Sequence, residues 1–120
     1  MKKAFKLGSD AISFLDTFIH LFDDTDGRAP DDASALGEEH IHSYVMAHMR
    51  IARVKAKMVE HAPSEMRARG LIESLKSYQV AVSLSEKLDP EGVVASEEVD
   101  CAREMISLLP PRIASLRRSA

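Results

Sequence analysis

Five histidines, six methionines and 19 carboxylates are the side chains of this 120-residue chain with the most chemistry to offer. Glu38 and His42 stand at i and i+4, and His42, Met46 and Met49 continue along one side of the same stretch. Imidazole with thioethers suits copper, and imidazole with carboxylate suits zinc. Glu97, Asp100 and Glu104 form a further acidic row at i, i+3 and i+7. A metal- or nucleotide-dependent enzyme would draw on Glu38, His42, Glu97 and Asp100 together. Other spacings argue against a centre. His40 and His42 are two residues apart and diverge on a helix, and no His-Glu-x-x-His run occurs. The expectation is therefore no metal and no cofactor, with the methionines filling the edges of a core.

The paired Glu-x-x-His motifs of di-iron bundles do not occur either. All-α nucleotide pyrophosphohydrolases carry Glu-Glu-x-x-Glu, and here Glu38-Glu39 is followed by His42 in the last position. The run Ala47-His48-Met49-Arg50-Ile51-Ala52 is similar to a phosphotransfer histidine site, but has Ile51 where such domains carry lysine. A simpler reading makes Tyr44, His48 and Lys55 a polar cluster, since they fall within about 40° of one another on a helix. Burial would then require hydrogen bonds for their inner atoms, with Lys55 reaching out to water. The acidic stretch around Gly27 fails as a calcium loop. With Gly27 in sixth place, the first and twelfth ligands would be Phe22 and Ala33. Cys101 has Asp100 and Glu104 beside it, which disfavour a thiolate. No glycine-rich phosphate loop or serine elbow is present.

The elements that must carry these residues are helices. Pro30, Pro63, Pro90 and Pro110-Pro111 separate long proline-free stretches, with Gly27, Gly37 and Gly92 near the same boundaries. No β-branched run alternates with period two. A first helix is expected over 9–23, possible back to Lys3, with Ser9 or Asp10 as its cap. Its apolar residues spread over an arc of about 200°, wider than one core-facing stripe needs. All four phenylalanines fall there, so Phe14, Phe18 and Phe22 are expected to be buried, in a helix at the bundle's centre or in an interface. A second helix is expected from about Gly37, or from Asp32 if Gly37 is tolerated, to His61, and a third over 64–88, capped by Ser64. The third carries a main stripe of Leu71, Leu75, Tyr78 and Val82, and an opposing one of Val80, Leu84 and Leu88. A fourth helix is expected over 96–109, followed after Pro110-Pro111 by a short amphipathic tail through Ile113 and Leu116.

With 45% apolar and 29% charged residues, the chain is too apolar for disorder and ordinary for a globular protein. One cysteine excludes an internal disulfide and points to a reducing, cytoplasmic setting. No apolar run is long enough to span a membrane. Gly8, Ser9, Asp10 and Asp16 interrupt any signal sequence that would start at Met1-Lys2-Lys3. Net charge is −3, in acidic blocks at 23–39 and 89–109 and basic ones at 40–63 and 110–120. Alternation of this kind suits neutralisation between neighbouring helices better than a nucleic-acid footprint. The sequence thus reads as all-α: an up-and-down four-helix bundle with a short C-terminal helical tail, one domain over 1–120. Surplus apolar surface makes it a protein-interaction module without catalysis. Its expected interface is Phe5, Ile12, Ile19, Val80, Leu84 and Leu88, covered by a second copy in a homodimer or by another protein.

Overall fold

The structure, a computed structural model, describes residues 2–23, 25–30, 36–92 and 96–119, with side chains from Lys6 onward other than those of Glu38, Ser96 and Ser119. Within these residues it is all-helical: α1 (Lys2–His20), α2 (Glu38–Met58), α3 (Ser64–Leu88) and α4 (Ser96–Ser119). Each helix packs on the next, α1 on α2, α2 on α3 and α3 on α4. The bundle is correspondingly long in one direction, at 47 × 28 × 23 Å.

The middle of this succession lies at α2 rather than at α1. Tyr44, Val45, Met46 and Ala47 are all buried in sequence, followed by Met49, Ile51 and Ala52. A helix buried on consecutive positions must be covered on more than one side, and α2 has α1 against one flank and α3 against another. α3 buries Ala68, Leu71, Ser74, Tyr78, Ala81, Ser85 and Leu88, a stripe in which four small residues are interspersed with three large ones. The small positions let neighbouring backbones come close. Ser74 uses its position to donate a hydrogen bond of 2.7 Å to the carbonyl of Ala52 on α2, which satisfies a hydroxyl that would otherwise be buried unpaired.

Several helix boundaries differ from those the sequence suggests. α1 stops at His20 rather than 23 and α2 at Met58 rather than His61, and the other differences have a physical reason. α1 begins at Lys2 and runs through Gly8, Ser9 and Asp10, so neither Ser9 nor Asp10 is a cap. Gly8 serves packing instead: a Cβ there would run into the Met58 side chain of α2. At the other end, Pro110 and Pro111 lie inside α4, and the tail is its last turns. Proline removes the helical donors to the carbonyls of Ile106 and Ser107. Both prolines are exposed, so water can serve those carbonyls, while Leu109 and Ile113 on either side of the pair are buried in the core. Continued burial of one face outweighs the missing bonds. At α3, Ser64 is the first helical residue, and Pro63 occupies the cap position without a side-chain bond.

Candidate functional site

Among the described residues α1 packs chiefly on α2. Its otherwise polar outer side, with Ser9, Asp10, Ser13, Asp16 and Thr17 exposed, carries a few large apolar side chains. Leu7, Phe14 and Leu21 are 60%, 74% and 74% exposed. They recur every seven residues, a spacing that drifts only about 20° per step around a helix. The three therefore form a line along α1 and onto the first residue beyond it, where Leu21 is tied back to the carbonyl of Phe18 at 3.2 Å. With a rise of 1.5 Å per residue the line is about 21 Å long. Beside it opens a groove of about 310 Å³ between α1 and α2, lined by Phe14, Leu15 and Phe18 on one wall and by His42, Met46 and Arg50 on the other. Burying Phe14 as part of the core, as its place in the arc suggested, is thus incorrect. α1 covers only one side of α2, and the excess of its arc faces solvent.

Phe18, which also lines the groove, and Phe22 lie nearer the core and open a ladder of rings into α2. Phe18 meets Phe22 edge-on at 5.3 Å, Phe22 meets Tyr44 at 5.6 Å, and Tyr44 meets His48 at 5.2 Å. Offset and edge-on contacts of this kind fix ring orientation as well as bury area. Burial, with a smaller contribution from Asp23, raises the Tyr44 pKa. His48 is held in its neutral form, its pKa lowered to about 4 chiefly by burial. Its Nε2 is buried without a hydrogen-bond partner, contrary to the expectation that inner atoms of the polar cluster would be satisfied. Lys55 does not join the two rings. Its ammonium donates to the Ser77 hydroxyl of α3 at 2.9 Å. A buried imidazole is poorly placed to receive a phosphoryl group from a partner domain.

The remaining candidates are dispersed. His42 is exposed, whereas Met46 and Met49 are core residues. Glu97 and Asp100 are exposed on α4, where Asp100 accepts a bond of 3.2 Å from Arg103. The Glu38 side chain lies outside the described residues. Among those residues, no three His, Cys, Asp or Glu side chains gather where a metal could sit. Of the interface positions, Ile19 (5% exposed) and Leu88 (1%) are inside the chain's own core. Leu84 packs against that core, and Ile12 is half-buried. Val80 is exposed, and the Phe5 side chain is outside the described residues. The signal that separates Leu7, Phe14 and Leu21 from the rest was available as a seven-residue repeat, but the width of the arc concealed it.

This geometry defines a protein that is all-helical among the described residues, whose helices pack in chain order and whose first helix exposes an apolar line of Leu7, Phe14 and Leu21. The chain belongs to the family described as KIF-1 binding protein C terminal, which it matches over residues 1–116. It is similar to the KIF-binding proteins of Homo sapiens and Bos taurus, each 28% identical over 118 residues that cover 98% of this chain and 18% of the relative. The KIF-binding protein of Gallus gallus is 30% identical over 118 residues, covering 98% of this chain and 19% of the relative. The chain thus spans about a fifth of the length of these relatives. No solved structure matches it. Among the described residues, no helix is long and apolar enough to cross a membrane.

Proposed function

We propose that this chain is a non-catalytic protein-interaction module that engages a KIF protein, a kinesin, in the cytoplasm through the outer side of α1. The observation that carries this reading is the exposed line of Leu7, Phe14 and Leu21. Exposed apolar residues taken singly mean little, but an aligned row beside an open groove is the form in which helices receive partner helices. The relatives are named for binding KIF, which supplies the class of partner. Each large apolar side chain covered there contributes about 1.5–3 kcal/mol.

Calorimetric titration of the chain with a purified KIF-1 protein tests the reading. Phe14→Ser and Leu21→Ser should each weaken binding by about tenfold or more while far-UV circular dichroism stays unchanged. Full affinity in the double variant, or no binding by the unmodified chain, refutes it. A second copy of the chain is the competing occupant, because a seven-residue apolar repeat also suits self-pairing. Sedimentation of the chain alone separates the two: a dimer dispersed by Phe14→Ser would assign the line to self-association.

A further inference from the structure

A further cavity lies away from α1, on the side where α2 and the end of α4 rise on either side of α3. It measures about 470 Å³. Leu71 and Tyr78 of α3 make its floor, and Ala56 of α2 and Leu116 of α4 add apolar walls. Its rim carries four cations from three helices: Arg53, Lys57, Arg67 and Arg112. Against them stands one carboxylate, Glu60.

Two of these cations are already engaged. Arg53 crosses to Glu98 of α4 at 3.1 Å, and Lys57 reaches Glu60 at 3.7 Å. Both pairs are open to solvent, where such contacts are weak. Arg67 and Arg112 are different. Among the described residues neither has a carboxylate within ion-pair distance, and the Nε of Arg67 is buried with no hydrogen-bond partner. The blocks 40–63 and 110–120 are the most basic parts of the chain, and here they face one another. Charge neutralisation between helices holds where Arg53 meets Glu98, and fails one step further along, where like charges are gathered around an apolar floor.

We propose that this cavity is a docking site for an acidic segment of a partner protein, one that lays an apolar side chain against Ala56 and Leu116 and presents carboxylates to Arg67 and Arg112. Guanidinium groups match carboxylates in a planar, two-bond geometry, and the Arg67 and Arg112 side chains both line the cavity. The cavity's apolar lining favours a peptide over a bare anion, since phosphate alone leaves the half-buried Ala56 and Leu116 uncovered. The site is separate from the α1 line and does not depend on it.

The test is a nuclear magnetic resonance titration of the isotope-labelled chain with a synthetic peptide of about 12 residues, leucines at helical spacing among glutamates. Amide shifts should concentrate at Arg67, Leu71, Tyr78 and Arg112, and binding should weaken as salt rises from about 50 to about 300 mM. The Arg67→Glu and Arg112→Glu variants should each lose about tenfold or more in affinity. Because Arg67 is partly buried, Arg112→Glu, at an exposed position, is the arm that keeps the fold out of question. Phe14→Ser should bind the peptide as the unmodified chain does, which separates this site from the α1 reading. The proposal is overturned if the glutamine version of the peptide binds equally well, or if no shifts arise at the cavity. It is also overturned if inorganic phosphate or phosphatidylserine vesicles shift these residues while the peptide does not.

Discussion

Replacing His48 by leucine probes the least satisfied point of the core. The imidazole stands edge-on to Tyr44 at 5.2 Å, its Nε2 is buried without a partner, and burial lowers its pKa from 6.5 to about 4. The unfolded chain therefore binds a proton in the window between those values that the native chain does not. Stability must fall as the pH drops through that window and recover above it. At 1.36 kcal/mol per pKa unit, the loss approaches about 3 kcal/mol by about pH 4. His48→Leu removes the linkage and also the orphaned nitrogen, whose burial costs about 1–3 kcal/mol. The variant should be more stable than the unmodified chain at neutral pH, and the margin should widen on acidification. His20 works in the opposite sense. Its hydrogen bond to Asp23, at 2.7 Å, raises its pKa, so its contribution is present below about 6.5 and fades as pH rises through the raised value. His20 is common to both proteins and cancels in their difference. Urea unfolding followed by circular dichroism between about pH 7.5 and pH 4.5 measures that difference. Equal losses in the two proteins across the window would refute the account of His48.

Other substitutions test the packing. Gly70→Ala should destabilise by about 1–3 kcal/mol, because its Cβ would meet both Val59 methyls at 2.5 and 2.6 Å; thermal melts read this directly. Gly8→Ala should be much milder, since the obstructing group is the flexible Met58 side chain and alanine gains about 1 kcal/mol in a helix interior. Equal losses at the two positions would contradict the distinction. Ser74→Ala should cost about 1 kcal/mol through its lost bond to Ala52, measured by urea unfolding. Phe14→Ser, at an exposed position, should leave stability within about 0.5 kcal/mol, whereas a loss typical of a core aromatic would restore Phe14 to the interior.

Most of the architecture was legible because helices announce themselves by period and punctuation. The Ser64–Leu88 helix was readable to its last residue, since Pro63 and Pro90 bracket an uninterrupted pattern. What periodicity does not state is which helix has two neighbours. Four phenylalanines made α1 look central, yet a broad apolar arc is equally compatible with burial on one side and exposure on the other. The unbroken burial of Tyr44 to Ala47 was present in the letters as Tyr-Val-Met-Ala, but composition gives these residues less weight than aromatic ones. The polar cluster was misjudged for a related reason. Angular proximity on a helix put Lys55 with Tyr44 and His48, while the axial separation of seven residues, about 10 Å, left its ammonium to find Ser77 on another helix.

Charge was harder still, because a count along the chain says nothing about which blocks meet. A stop at Pro110 would have left Arg112 on a loose tail, free to avoid the cations of α2. Instead the buried side chains of Leu109 and Ile113 carry the helix through both prolines, and that continuity fixes Arg112 beside the cavity that Arg53, Lys57 and Arg67 also line. Apolar burial thus decides where the charge goes. Like charges separated by several ångströms near a surface repel by a few kcal/mol at most, less than the burial of two aliphatic side chains returns. The fold can therefore hold a basic rim that Glu98 and Glu60 neutralise only in part, and that leaves Arg67 and Arg112 available to a partner that brings the missing carboxylates.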